Sequence, residues 1–170
     1  MAPKVILIGP PGSGKSTVGS RLAGLLGVGF RDTDADIERA TKRTIPEIFV
    51  EDGEPVFRAL EREAVSLAVG EHDGVLSLGG GAIMDPETEE VVSGQPVVFL
   101  DVSLRAATPR VGLNKSRPLL LGNPRAQWLK LMGERRLVYE RIARWKVNTD
   151  DREKSDIAQE IVDLLAAEES

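Results

Sequence analysis

Short apolar runs alternate with longer stretches of helical periodicity along this chain. Val5-Ile6-Leu7-Ile8 is apolar throughout and ends at Gly9-Pro10-Pro11, a pattern that predicts a strand buried on both faces. Comparable runs predict strands at Val28–Arg31, Val75–Leu78 and Val97–Leu100, and a short one at Trp145–Val147. Between them, apolar residues recur at helical spacing: Val18, Leu22, Leu25 and Leu26; then Val56, Leu60, Ala64, Leu67 and Ala68; and finally Ile157, Ile161, Leu164 and Leu165. Thr44 and Glu47 flank Pro46 in a capping-box pattern, and Ser155 stands where the last helix would be capped. Strands alternating with helices predict an α/β fold, a parallel sheet with right-handed crossovers and helices on both faces. Ligands of such sheets bind at the C-terminal ends of the strands. Two segments break the alternation. Residues 37–62 read as a helical insertion, and residues 112–124, rich in Gly, Pro and Asn and carrying Lys115 and Arg117, read as a surface loop able to serve as a lid.

Composition narrows this picture only in part. A length of 170 residues suits one domain, and a hydrophobic fraction of 41% supports a real core. No apolar stretch has the length of a membrane span. Met1-Ala2-Pro3-Lys4 leads directly into the first strand, so no signal peptide is expected and the chain is predicted to be cytoplasmic. The absence of cysteine excludes disulfides and thiolate metal sites. A net charge of −5 argues against nucleic acid as a partner, so the positive charges that matter must be local.

Chemistry enters with Gly9-Pro10-Pro11-Gly12-Ser13-Gly14-Lys15-Ser16-Thr17, which matches the phosphate-loop pattern between a predicted strand and a predicted helix. Backbone N–H groups of Gly12, Ser13 and Gly14 wrap a phosphate in such a loop, assisted by the helix N-terminus. Lys15 would reach the outer phosphates, the Ser16 hydroxyl would take Mg²⁺, and Thr17 completes the motif. The loop implies a nucleoside triphosphate and leaves the acceptor open.

Other clusters fall at the remaining strand ends. Asp32 and Asp34, two residues apart on an extended segment, would point the same way. One carboxylate could hold Mg²⁺ through water while the other orients an acceptor hydroxyl and takes its proton; a helix cap with a solvated neighbour is the plainer alternative. Gly79-Gly80-Gly81 after the third strand allows close approach of backbone to a ligand, or simply makes a flexible turn. Phe57, Arg58 and Glu61 share one side of a helix, with the core stripe of Val56, Leu60 and Ala64 on another. An Arg braced by a Glu suits a substrate carboxylate, although a surface ion pair has the same pattern. Asp101 ends an apolar run in the manner of a Walker B acid but reads equally as a strand terminus, and is left outside the site. Arg135-Arg136 reads by default as a solvated basic face, His72 as a surface loop residue, and Trp128 and Trp145 as packing residues.

Taken together, these residues resemble a shikimate kinase over essentially the whole chain. The markers are the phosphate loop, Asp32-x-Asp34, Phe57-Arg58-x-x-Glu61, Gly79-Gly80-Gly81, Arg117-Pro118-Leu119-Leu120, and Arg136 upstream of Tyr139. Only the first is specific alone; their order and spacing make the match. The resemblance implies a nucleoside-monophosphate-kinase-like three-layer fold with a five-stranded parallel sheet in the order 2-3-1-4-5. It implies transfer of the ATP γ-phosphoryl group to the 3-hydroxyl of shikimate, a step toward chorismate and the aromatic amino acids. It further implies that Lys15 stabilises the transferring group, Ser16 binds Mg²⁺ with Asp32 acting through water, and Asp34 serves the acceptor hydroxyl. Arg58, Arg136 and Gly80, flanked by Gly79 and Gly81, would hold the shikimate carboxylate, with Glu61 bracing Arg58. Phe49 and Phe57 would line the pocket, Arg117 would reach the phosphates from the lid, and Arg110 and Arg152 would flank the adenine. The run Asp150-Asp151-Arg152-Glu153-Lys154 departs from the family's adenine loop in its acidity and in lacking a proline. A monomer is expected, because no exposed apolar stripe stands out. The competing readings are another kinase of this fold acting on gluconate or a nucleoside monophosphate, and a nucleotide-dependent switch. The switch reading lacks a guanine-reading Asn-Lys-x-Asp, since Asn148-Thr149-Asp150-Asp151 has no Lys.

Overall fold

The computed structural model describes residues 2–111 and 123–169. Strands β1 (Val5–Ile8), β2 (Phe30–Asp32), β3 (Val75–Ser77), β4 (Val97–Asp101) and β5 (Trp145–Asn148) pair in parallel in the order β2-β3-β1-β4-β5, as the resemblance implies. Helices α1 (Lys15–Leu26), α2 (Thr33–Thr41), α3 (Ile45–Asp52), α4 (Glu54–Glu71), α5 (Pro86–Val92), α6 (Leu104–Val111), α7 (Pro124–Ile142) and α8 (Lys154–Glu169) surround this sheet.

The inner strands β1, β3 and β4 are almost wholly apolar and buried because both sheet faces are covered there. Ile6, Ile8 and Phe99 face a core completed by Val65 and Ala68 of α4 and by Trp128, Met132 and Tyr139 of α7. Val5, Leu7 and Val98 face the opposite core, built with Val18 and Leu22 of α1 and Ile157 and Ile161 of α8. Each fully buried aliphatic side chain of this kind contributes about 1.5–3 kcal/mol of hydrophobic stabilisation. A small third core unites Ile37, Ile45, Ile48 and Phe57, so α2, α3 and the start of α4 form a helical annex beside the sheet. Its turns follow from local chemistry. The Thr44–Glu47 capping box is present at α3, and Gly53 at φ 87° breaks the chain before Pro55 in the first turn of α4.

Three local expectations change. Strand β2 begins at Phe30 because α1 ends only at a left-handed Gly27. Helix α8 starts at Lys154, which places Ser155 inside its first turn and not at its cap. In α4 the buried stripe is Phe57, Glu61, Val65 and Ala68, whereas Val56 and Leu67 are 41% and 54% exposed. The helix packs on the annex and on the sheet at once, which turns the Phe57–Glu61 side inward.

Registry brings the strand ends level where a ligand would meet them. Asp32 lies opposite Ser77, two residues before the triple glycine, and Asp101 lies opposite Asn148.

Candidate active site

The phosphate loop leaves β1 through Gly9, whose φ of 154° and close packing both require glycine. A Cβ there would lie 2.6 Å from the Leu100 carbonyl oxygen and 2.9 Å from Ser13 Oγ. The loop ends at Gly14, the left-handed N-cap of α1. Lys15 curls back along the loop and donates to the Gly9 carbonyl at 2.7 Å and to that of Pro10 at 3.3 Å. Two side chains grip the loop from outside. Trp128 Nε1 donates to the Pro11 carbonyl at 2.9 Å, and Arg110 Nη1 donates to the Gly12 carbonyl at 3.0 Å. Trp128 is therefore a packing residue, as expected, and also a brace on the loop.

The two carboxylates at the end of β2 occupy different elements. Asp32 is the last strand residue and caps α2, its Oδ1 accepting from the Asp34 N–H at 2.8 Å, while Asp34 lies in the first turn of that helix. The expected extended pair is thus a cap and its neighbour. Both nevertheless face the site. Ser16 Oγ donates to Asp32 Oδ2 at 3.3 Å, joining hydroxyl and carboxylate beside Lys15. Burial, and then the Asp34 charge, hold the Asp32 carboxyl above its ordinary range; its cap bonds and Lys15 oppose this. Neutralising cations at this point would relieve that repulsion.

The triple glycine is the junction of the site. Its glycines avoid left-handed φ, so the requirement is space. A Cβ on Gly79 would lie 2.8 Å from both Asp34 Oδ1 and Glu61 Oε2. One on Gly80 would lie 3.1 Å from Arg135 Nη1, and one on Gly81 would lie 2.8 Å from nitrogens of both Arg135 and Arg58. Tyr139 donates its hydroxyl to the Gly80 carbonyl at 2.6 Å, which holds the turn down from α7. Beside the turn opens a pocket of about 460 Å³, lined among others by Arg58, Gly81, Leu131 and Arg135.

Arg58 reaches Glu61 at 2.7 Å and Glu54 at 3.2 Å, with its guanidinium 5.2 Å from the Phe57 ring centre. Burial opposes its charge, but the two carboxylates outweigh this and raise its pKa. Glu61 is buried, and its pKa is raised by that burial despite Arg58. Phe49 and Phe57 pack with tilted rings, their centres 4.9 Å apart, on the annex side.

Of the two adjacent arginines on α7, the structure turns the unexpected one inward. Arg135 is 5% exposed and meets Arg58 at Gly81. Arg136, expected at the carboxylate, instead makes a two-pronged pair with Asp101 at 2.9 and 3.1 Å. Successive helical residues point about 100° apart, so both cannot serve one pocket. The missed signal is periodic: Trp128, Met132, Arg135 and Tyr139 follow one another at four, three and four residues, and all are buried. Asp101 stays outside the site, engaged by Arg136.

On the other side of the loop, Arg110 and Arg152 line a second cavity of about 560 Å³. Arg152 donates to the Asn148 carbonyl at 2.9 Å and pairs with Glu160 at 2.7 Å. Arg117 and the greater part of the expected lid, residues 112–122, lie outside the described residues. The site thus joins an anion-binding loop to a charged acceptor pocket across three glycines, an arrangement suited to phosphoryl transfer onto a small anionic alcohol.

Comparison with known proteins agrees. The family model described as shikimate kinase matches residues 11–166. Shikimate kinase from Streptomyces avermitilis is 52% identical over 168 residues, covering 99% of this chain and 98% of the relative. That from Mycobacterium avium is 51% identical, covering 98% and 96%. Among solved structures, shikimate kinase from Acinetobacter baumannii in complex with shikimate superposes with a TM-score of 0.94 at 35% identity, over 99% of this chain and 94% of that one. A gluconokinase from Sinorhizobium meliloti, at 19% identity and a TM-score of 0.60, shares the fold.

Proposed function

The chain belongs to the shikimate kinase family, and from that membership we infer that its two half-sites transfer the γ-phosphoryl group of ATP to the 3-hydroxyl of shikimate. The observation carrying this reading is the meeting of Asp34, Glu61, Arg58 and Arg135 at the triple glycine, beside the phosphate loop.

The division of labour follows from charge and position. Gly12, Ser13, Gly14 and Thr17 wrap the phosphates, and Lys15 swings from the Gly9 carbonyl to the transferring group, where it meets the negative charge of the transition state. Arg58 and Arg135, with the backbone of Gly80 and Gly81, receive the shikimate carboxylate; the role expected of Arg136 passes to Arg135. Glu61 positions Arg58, and Phe49 and Phe57 supply the apolar wall. Asp34 orients the 3-hydroxyl and takes its proton as the oxygen bonds to phosphorus and the bond to the ADP leaving oxygen breaks. Arg110 and Arg152 hold the nucleotide end, and Arg117 joins the phosphates from the 112–124 lid. Ser16 and Asp32 suit Mg²⁺. They offer only oxygen donors, and among the described residues no group of three or more Asp, Glu, His or Cys side chains is placed to hold a metal ion. That fits a metal carried largely by phosphates and water. Bound there, Mg²⁺ would neutralise phosphate charge. Among the described residues no helix is long and apolar enough to cross a membrane. The reading takes the chain as one catalytic domain acting as a monomer in the cytoplasm.

The test is ATP consumption dependent on the acceptor. Shikimate alone should drive it; turnover with gluconate or a nucleoside monophosphate, and none with shikimate, would overturn the reading.

A further inference from the structure

One cation beside the phosphate loop has no part in the roles above. Lys154 opens α8, and its side chain runs back to the N-terminus of α1. A Cβ on Gly14 would lie 2.5 Å from Nζ and 3.3 Å from Cε. The ammonium is buried and has no hydrogen-bond partner among the described residues. No carboxylate can answer it from residues 112–122, which contain neither Asp nor Glu. Burial, and then the like charge of Arg110, hold it below the ordinary lysine range. Its place in the first turn of α8 is also one that the helix dipole makes unfavourable for a cation.

Each of these effects destabilises the charge, and together they point to an anion that the side chain meets in the working protein. The surroundings identify its chemistry. Gly14 belongs to the loop that wraps phosphate, and Arg110 is bonded to Gly12 of the same loop. We propose that Lys154 is a nucleotide-binding residue whose ammonium donates to a phosphate oxygen of ATP held on the Gly12–Lys15 loop. It then supplies a second charge, from α8, beside the loop that carries Lys15, and Gly14 is glycine both for its left-handed φ and to let this side chain pass. A bound nucleotide would convert a destabilising charge into a paired one.

The proposal rests on the ATP reading above, and the experiment separates the two. Binding of ADP, tripolyphosphate, adenosine and shikimate is measured by calorimetry on wild type, Lys154→Met and Lys154→Arg, together with steady-state kinetics. Methionine keeps the stem and removes the charge. Loss of a charge-assisted bond should weaken ADP and tripolyphosphate about tenfold or more in Lys154→Met. Adenosine and shikimate should be unaffected, KM for ATP should rise far more than kcat falls, and the ligand-free melting temperature should hold or increase. Lys154→Arg should retain most of the ADP affinity. Unchanged ADP binding in Lys154→Met would overturn the proposal. So would an equal loss for adenosine, which marks a base contact, or a lower ligand-free melting temperature with shikimate binding weakened alongside, which marks a structural role. Wild-type protein that fails to bind ADP would overturn the ATP reading itself.

Discussion

Replacing Arg135 and Arg136 one at a time separates two residues that stand side by side in sequence and on different faces of α7. Arg135 is 5% exposed, and one of its nitrogens meets Arg58 at the Gly81 backbone. Two guanidinium groups held this close repel each other, with Glu61 as the buried counter-charge nearby. A carboxylate arriving between them gains charge-assisted bonds from both, each worth about 1.5–3 kcal/mol. Arg135→Met should therefore raise the dissociation constant for shikimate about ten- to a hundredfold. ADP affinity should stay constant, because the proposed nucleotide residues belong to the phosphate loop and the Arg110 side of it.

Arg136→Met removes a different interaction. The Arg136–Asp101 pair is two-pronged, but its side chains are 38% and 16% exposed. Solvent screening limits its worth to roughly 1 kcal/mol or less. The expected result is a small fall in melting temperature with shikimate affinity within about twofold of wild type. Arg135→Lys should fall between, since a point charge cannot reproduce the planar fork. Calorimetric titration with shikimate, checked by coupled kinetics, reads all three. A large loss in Arg136→Met with near-normal binding in Arg135→Met would refute the reasoning.

Four further outcomes follow from the same geometry. Asp34→Asn should bind ATP and shikimate near normally but lose turnover by orders of magnitude in the coupled assay; a rate constant near wild type would remove Asp34 from the reaction. Gly79→Ala would press a methyl against Asp34 and Glu61, each 2.8 Å from the new carbon, and should lower both melting temperature and activity. Trp128→Phe deletes the bond to the Pro11 carbonyl, worth about 0.5–1.5 kcal/mol; KM for ATP should rise severalfold while shikimate binding holds. Asp32 has a carboxyl held above its ordinary range, so the folded state binds that proton more tightly than the unfolded chain. Its ionisation therefore costs stability as pH rises from about 4, and Asp32→Asn, which can still cap α2, should flatten that decline in a melting-temperature series.

The apolar pattern revealed the three inner strands β1, β3 and β4 because both sheet faces are buried there, so they stand out as runs; the outer strands β2 and β5 carry Arg31, Asp32, Lys146 and Asn148 and show more weakly. Helix faces were harder to read wherever a charge had to be buried. In α4 the inward stripe contains Glu61, and a search for apolar residues alone shifts the stripe by one position to Val56 and Leu60. The same blindness applies to α7, where the inward residue between Met132 and Tyr139 is Arg135. Both errors have one cause. Burying an ionised side chain is unfavourable unless a partner waits for it, and a stripe drawn from apolar positions alone takes no account of such a partner. Glu61 waits on Arg58, and the guanidinium of Arg135 packs against glycine backbone that only the fold delivers.

That dependence explains the three glycines better than flexibility does. Asp34 comes from the start of α2, Glu61 and Arg58 from α4, and Arg135 from α7; none is near another in sequence except the α4 pair. An alanine at Gly79 or Gly81 would put its methyl carbon 2.8 Å from these charged groups and force a shift, and one at Gly80 would press on Arg135 at 3.1 Å. The turn after β3 thus sets the distance between the Asp34 carboxylate and the guanidinium groups of Arg58 and Arg135. Because β3 pairs with β1 in fixed register, the same turn also sets their distance from the phosphate loop. On the proposed reading, specificity for the acceptor is a property of backbone geometry as much as of the charged side chains. A larger residue should damage orientation, read in kcat, even where a substituted arginine damages only affinity.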